Sequence, residues 1–289
     1  MRLIFAKKMG FCSGVSRAIS LAQSIPTRDN KKRTVTIPVY TLGPLIHNPQ
    51  EVERLERLGV KAISRLNQIK TGTLIVPSHG LPQSILKKID KMQLKLIDAT
   101  CPFVKRAQLL AKNLYERGYH VVIVGQKSHP EVISLFSFAN GEASVVETPQ
   151  DVEKIKTNKK IGVISQTTQS VENFQKIVKR LKIKIKKLKI HNTICKETSQ
   201  RQKEAKGLAE KADLMVVIGG KNSANTNRLY NICKKITRAY HVESPEELRP
   251  SWFSKRGVVG ITAGTSTPEW IIKSVVKSLF RSNSDSSSP

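Results

Sequence analysis

The chain has 289 residues, 39% of them hydrophobic and 25% charged, a balance that supplies a packed core and excludes a disordered polyelectrolyte. Lys and Arg number 50 against 22 acids, a formal charge of +28, but aromatics are only 5% and do not interleave with the basic residues, so no stacking platform for nucleic acid is expected. The 4 cysteines include no C-x-x-C pair, no apolar run approaches the ~20 residues of a membrane helix, and no signal peptide opens the chain, which excludes zinc ribbons and points to a reduced, cytoplasmic protein without a membrane or nucleic-acid partner.

Taken in chain order, the predicted elements pass three times through one pattern. A β-rich run, Leu3-Ile-Phe-Ala, leads to Cys12, followed by a helical pattern over Val15–Gln23 and a short strand over Val35–Tyr40. A polar loop, Ile46-His-Asn-Pro-Gln-Glu-Val, then feeds a helix. After it come Ala62-Ile-Ser-Arg-Leu-Asn-Gln-Ile and a closing loop, Pro77-Ser-His-Gly. The second pass starts at Leu94-Lys-Leu-Ile-Asp-Ala-Thr before Cys101, with a helix over Val104–Arg117 and a strand over Val121–Gly125. Its loop is Ser128-His-Pro-Glu-Val, its later unit Val145-Val-Glu-Thr-Pro-Gln-Asp-Val, and its closing loop Ser165-Gln-Thr-Thr. The densest basic stretch follows, Lys176 to Lys189, whose K-I-K-I alternation suits an edge strand with lysines outward. The third pass starts at Leu188-Lys-Ile-His-Asn-Thr-Ile before Cys195, with a helix over Gln202–Lys211 and a strand over Leu214–Gly219. Lys221-Asn-Ser-Ala-Asn-Thr-Asn-Arg-Leu, His241-Val-Glu-Ser-Pro-Glu-Glu-Leu and Ala263-Gly-Thr-Ser-Thr complete it.

The spacing is regular. Cys101 stands 89 residues after Cys12, and Cys195 stands 94 after Cys101. His79, Thr167 and Ser266 lie 67, 66 and 71 residues after their respective cysteines. Alternating strands and helices imply parallel sheets, whose ligands gather at the carboxyl ends of the strands. The expected fold is therefore α/β: three modules with parallel sheets, related by a pseudo-threefold axis that brings three thiolates to one point. The modules span 13–100, 101–194 and 195–281, the last completed by the N-terminal strand 1–12, and 282–289 reads as a disordered tail.

Phase with the repeat marks Cys12, Cys101 and Cys195 as metal ligands, whereas Cys233, inside the helical pattern Arg228–Lys235, reads as a small buried hydrophobe. Three thiolates leave two readings open. Zinc with an open water position would make a hydrolase of phosphorylated substrates. All-thiolate ligation favours an iron–sulfur cluster, in which three cysteines leave one iron free to act as a Lewis acid. His47, His79 and His129 occupy the repeat loops, joined by Ser223, Asn225 and Ser266 of the third repeat. Such donors near helix N-termini suit a phosphate or diphosphate. Of the two loop carboxylates, Glu51 lies one helical turn beyond its loop and Glu131 only two residues past His129, so Glu131 is the candidate proton donor.

At these residues a family resemblance emerges. Gly10-Phe-Cys-Ser-Gly-Val, Thr41-Leu-Gly-Pro-Leu-Ile-His-Asn-Pro, Ser78-His-Gly, Asp98-Ala-Thr-Cys-Pro, His129-Pro-Glu, Gln166-Thr-Thr, Lys221-Asn-Ser and Thr262-Ala-Gly resemble the 4-hydroxy-3-methylbut-2-enyl diphosphate reductases of the non-mevalonate isoprenoid route, in order and from about residue 3 to residue 280. The resemblance implies a cloverleaf of three α/β modules around a 4Fe-4S cluster held by Cys12, Cys101 and Cys195. It implies that the substrate hydroxyl meets the unique iron, that two electrons and two protons enter, and that water leaves to give isopentenyl and dimethylallyl diphosphates. It assigns the diphosphate to His47, His79, His129, Ser223, Asn225 and Ser266, the proton relay to Glu131, and placement of the hydroxyl group to Thr167. Ala224 departs from the family pattern, where many members carry a second serine. The basic surface favours an acidic electron donor such as ferredoxin or flavodoxin.

Overall fold

β-Branched runs without Gly or Pro make short strands that are apolar on both faces, and such strands need helices on either side. The computed structural model describes residues 1–25, 37–253 and 257–285 and arranges twelve short strands in three parallel four-stranded sheets. The first sheet has the order β3 (Val60–Ile63), β2 (Val39–Leu42), β4 (Thr73–Val76), β5 (Lys95–Asp98). The second is β7 (Ala143–Val146), β6 (His120–Val124), β8 (Ile161–Ser165), β9 (Leu188–Ile190). The third is β11 (Arg238–Val242), β10 (Leu214–Ile218), β12 (Val258–Ala263), β1 (Arg2–Phe5). The three orders are equivalent, and in the third the edge strand comes from the chain's start, Arg2 facing Val258 and Phe5 facing Ile261. The expected three parallel-sheet α/β modules are thus present. The strand expected over Val35–Tyr40 is observed at Val39–Leu42, and residues 35–36 of that expectation lie outside the described residues.

The helices are α1 (Ser13–Gln23), α2 (Pro49–Arg57), α3 (Gln83–Ile89), α4 (Pro102–Glu116), α5 (Pro130–Phe138), α6 (Val171–Lys184), α7 (Lys196–Ala209), α8 (Ala224–Lys234) and α9 (Glu269–Asp285). Helix α9 enters the segment expected as a disordered tail, of which 286–289 lie outside the described residues. By its contacts the chain divides into two compact units. One comprises Met1–Ser13, His47–Glu51 and Lys196–Pro289, the other Gly14–Ile46 and Val52–Cys195.

Period-two alternation divides each central strand between two cores. In β6, Val122 and Val124 pack with Phe174, Ile177 and Leu181 of α6, while Val121 and Ile123 pack with Ala107, Ala111 and Leu114 of α4 and Leu135 of α5. In β10, Leu214, Val216 and Ile218 face α9, and Met215 and Val217 face α7 and α8.

The expected edge strand within the lysine-rich stretch is corrected by the structure. Residues up to Lys184 belong to α6, and the edge strand is β9, Leu188–Ile190. Phe174, Ile177 and Leu181 recur at helical spacing and are buried, whereas Ile183, which gave the alternating impression, is 82% exposed. Ile177→Ala is expected to cost ~2–5 kcal/mol in chemical denaturation, and Ile183→Lys to stay within about 0.5 kcal/mol. The reverse ranking would overturn this face assignment.

Candidate functional site

The candidate side chains fall into two sets, one in each compact unit. Both are built on the loops that follow the strands' carboxyl ends. One backbone device recurs three times: each cysteine's N–H donates to a carbonyl of the loop closing the neighbouring strand. Cys101 donates to Ser78 (2.9 Å), Cys195 to Thr167 (2.9 Å) and Cys12 to Thr265 (3.1 Å). The strands leading to these cysteines, β5, β9 and β1, pair with β4, β8 and β12, from which those loops emerge. The repeat seen in sequence thus places each thiol by the same register.

A second device holds the loops themselves. Glu147 Oε1 accepts from Lys127 N (2.6 Å), and Glu243 Oε1 accepts from Lys221 N (2.8 Å). These are the glutamates of the two V-E-[ST]-P units, and they fix the loops that carry His129 and Ser223. The proline in each unit opens a 3₁₀ turn.

In the larger unit, Cys101 caps the N-terminus of α4, with Pro102 as the first helical residue. Burial pushes its thiol pKa up; N–H groups of Phe103 and Val104 oppose this, and the negative charges of Cys195 and Glu131 add to it. Cys101, Cys195 and Glu131 therefore share one electrostatic neighbourhood. Gly14, in the first turn of α1, lies against the thiol: a Cβ there would stand 2.5 Å from Cys101 Sγ. No side chain fits between helix and sulfur, so the thiol is left a cradle bounded by backbone. Gly14→Ala is expected to cost about 1–3 kcal/mol in chemical denaturation, and unchanged stability would show that α1 can draw back from the sulfur.

Glu131, 2% exposed, has both carboxylate oxygens engaged by one residue: Thr167 N donates to Oε1 (2.6 Å) and Thr167 Oγ1 to Oε2 (2.8 Å). His129 caps α5, its Nδ1 accepting from Glu131 N (3.1 Å). An accepting Nδ1 sets the tautomer, so Nε2 carries the hydrogen and is the ring's donor. His79 is buried in the loop after β4. The next residue, Gly80 at φ 77°, packs so tightly that a Cβ would fall 2.3 Å from Gln108 Nε2. Gln108 donates to Ser134 Oγ (2.8 Å), which donates to Leu81 O (2.9 Å). This buried chain ties the His79 loop to α4 and α5.

In the other unit, Ser266 Oγ donates to His47 O (3.0 Å) and lies 3.3 Å from Ser223 Oγ, itself the cap of α8. Burial lowers the His47 pKa, favouring the neutral imidazole. Asn225 is 2% exposed in the first turn of α8, and among the described residues neither its Oδ1 nor its Nδ2 has a hydrogen-bond partner. Two unmet polar atoms on one buried amide are costly unless a ligand meets them. Glu51 is also buried here, where it accepts from Trp270 Nε1 (3.3 Å), and Asn48 Oδ1 accepts from Glu51 N (2.8 Å). Among the described residues, no three His, Cys, Asp or Glu side chains are gathered closely enough to hold a single metal ion.

The model of the family described as LytB protein matches residues 3–280. The chain belongs to the LytB family. Among its relatives, the 4-hydroxy-3-methylbut-2-enyl diphosphate reductase of Geotalea uraniireducens is 43% identical over 286 residues, 99% of each chain. That of Aquifex aeolicus is 46% identical over 280 residues, 94% of each. A solved structure titled as (E)-4-hydroxy-3-methyl-but-2-enyl diphosphate reductase, the terminal enzyme of the non-mevalonate pathway, is 44% identical with a TM-score of 0.68, covering 97% of this chain and 100% of that one. The E-1-hydroxy-2-methyl-but-2-enyl-4-diphosphate reductase from Plasmodium falciparum is 28% identical with a TM-score of 0.89, covering 96% and 87%.

Within this LytB chain, one unit gathers Cys101, Cys195, Glu131, Thr167, His129 and His79, and the other holds Cys12, His47, Ser223, Asn225 and Ser266. Sequence reasoning missed Gln108 and Arg201. Arg201 of α7 is 3% exposed and donates to Lys8 O and Ala263 O, both at 3.3 Å, bracing the segment before Cys12 and the loop carrying Ser266. Each had a sequence signal: a long polar side chain at an apolar position of the helical period, Gln108 among Val104, Ala107 and Ala111, and Arg201 four residues before Ala205. Cys233 is fully buried in α8, where burial pushes its pKa up to about 12. No helix of the described residues is long and apolar enough to cross a membrane.

Proposed function

We propose that this chain reduces (E)-4-hydroxy-3-methylbut-2-enyl diphosphate to isopentenyl and dimethylallyl diphosphates, in the cytoplasm, with electrons from an acidic carrier such as ferredoxin or flavodoxin. The observation that carries this reading is a carboxylate, Glu131, clamped at both oxygens by Thr167 and near enough to Cys101 for its charge to act on that thiol. Family membership at 43–46% identity to reductases of that name supports it.

Cys12, Cys101 and Cys195 would hold a 4Fe-4S cluster: three thiols are one short of the usual four, which leaves one iron without a cysteine. When bound, the cluster would pass on the carrier's electrons one at a time and, at the iron lacking a cysteine, supply a Lewis acid for the substrate's hydroxyl group.

The rest is done by the protein. Asn225 donates to the diphosphate through its unmatched Nδ2, beside Ser223, Ser266 and the neutral ring of His47. His129 donates through Nε2, the nitrogen that carries the ring hydrogen when Nδ1 accepts, and His79 joins it from the loop after β4. Thr167 Oγ1 places the substrate's hydroxyl and also contacts Glu131 Oε2 at 2.8 Å, so a proton from the carboxyl can cross Oγ1 to the departing oxygen.

Mössbauer spectroscopy of iron-57-enriched protein, purified anaerobically and measured with and without the hydroxylated allylic diphosphate, tests this. A cubane cluster with one distinct iron that shifts on adding substrate is the expected result. Protein reconstituted under the same conditions that holds zinc and no iron would overturn the reading in favour of a hydrolase.

A further inference from the structure

Beside Cys101 the protein surface opens into a cleft of about 440 Å³ lined by Arg17, Thr100, Pro102, Lys105, Arg106 and Leu109, with Asp98 its one carboxylate among the described residues. Pro102, Lys105, Arg106 and Leu109 recur at helical spacing and form the outer face of α4, whose inner face carries the buried Val104, Ala107 and Ala111. The first of them is covalently next to Cys101. Lys105 donates to Asp98 Oδ2 at 2.6 Å, and Arg17 Nη1 and Nη2 donate to the carbonyls of Thr100 and Asp98 at 3.2 and 3.1 Å. Two of the three cations are thereby fixed as a frame around the segment that delivers Cys101. Exposed apolar groups lie on the same helix: Leu109 is 57% exposed and Phe103 37%. A small apolar centre with a cationic margin, on the backbone adjoining a proposed cluster ligand, has the make-up of a transient interface for an acidic partner.

From this geometry we infer that the outer face of α4 with Arg17 is the docking surface for an acidic one-electron carrier protein, which delivers its electrons on the Cys101 side. The inference rests on the reductase reading and adds to it where the donor binds. Two reduced carriers dock in turn and each gives up one electron. The substrate takes both electrons with two protons, its C–O bond breaks, a C–H bond forms, and the oxygen leaves as water. Arg106 takes no part in framing Cys101, so its charge can be reversed without touching the site.

The test pairs a map with a rate, both on the holoenzyme. Carbodiimide coupling to an acidic 2Fe-2S ferredoxin, followed by peptide mapping, is expected to join Lys105 to a carrier carboxylate. Links confined to lysines of other faces, such as Lys179 on α6, would overturn the proposal. Arg106→Glu is expected to lower kcat/KM for reduced ferredoxin about tenfold at low salt, with turnover on reduced methyl viologen unchanged within about twofold. Leu109→Glu should behave alike. Unchanged ferredoxin kinetics in both variants, or equal losses with both donors, would overturn the docking assignment while leaving the reductase intact. Wild-type protein that holds its cluster and turns over with neither donor would remove the reductase reading and this inference together.

Discussion

Serine in place of Cys101 abolishes retention of the iron–sulfur cluster, while serine in place of Cys233 leaves it whole: this is the expected outcome of reconstituting the four single cysteine variants anaerobically. Cys101 is held in three ways. Its N–H donates to Ser78 O, it occupies the N-cap position of α4, and Gly14 leaves no room for a competing side chain. A serine hydroxyl is a poor iron ligand and sits too shallow in a cradle shaped for sulfur. Cys12 and Cys195 are anchored by the same N–H-to-loop bond and should fail in the same way. Cys233 differs in every respect. It is fully buried in the core between α7, α8 and β10, its Sγ 3.8 Å from Ala205 O, and its raised pKa keeps it a thiol at any physiological pH. Its serine variant should lose about 1–2 kcal/mol of stability and no iron. Iron, sulfide and visible absorbance per chain decide the matter. A variant of Cys101 that kept a full cluster, or a variant of Cys233 that lost it, would redraw the ligand set.

Glu131→Gln should bind the diphosphate normally and reduce it at least ~100-fold more slowly, the usual loss when a positioned acid is removed. In the native chain the carboxylate accepts from Thr167 at both oxygens. Glutamine keeps the carbonyl oxygen that faces Thr167 N but turns an NH₂ donor toward Oγ1. That hydroxyl must then accept where it formerly donated, and the proton path is reversed at its first step. The contacts assigned to Asn225, Ser223, Ser266 and His47 belong to the other compact unit and are untouched, so KM should change little while kcat collapses. Single-turnover kinetics with pre-reduced protein, beside a binding measurement, separate the two quantities. Near-native kcat would release Glu131 from the relay, and a KM rising as kcat falls would make it a binding residue instead.

Much of this was legible before any coordinates. The three strand-to-cysteine passages could be read because each is encoded within a few residues, by alternation into a buried strand followed by helical periodicity, and repetition made the three mutually confirming. The V-E-[ST]-P units were visible for the same reason, although their purpose, a glutamate gripping the N–H of Lys127 or Lys221, was not. Local pattern failed where two periods overlap: K-I-K-I at 182–185 reads as a strand only until Phe174, Ile177 and Leu181 are seen to share a helix face. The choice of Glu131 over Glu51 rested on distance along the chain, and the coordinates supply the physical difference, since one carboxylate is clamped by Thr167 and the other faces an indole N–H.

The sequence alone therefore determined the three-module α/β architecture, the phased cysteines and the family, because strand burial, helix period and repeat spacing are properties of neighbouring residues. Only the tertiary structure decided that Gly14 borders Cys101, that Gln108, Ser134 and Leu81 form one buried chain, that Arg201 braces two loops, and that Asn225 lies buried with its amide unmatched. Those facts join residues tens to nearly two hundred positions apart, or depend on what surrounds one side chain on every side. Hydrogen bonding and close packing select such partners by where the folded backbone places them, and no local pattern carries that information.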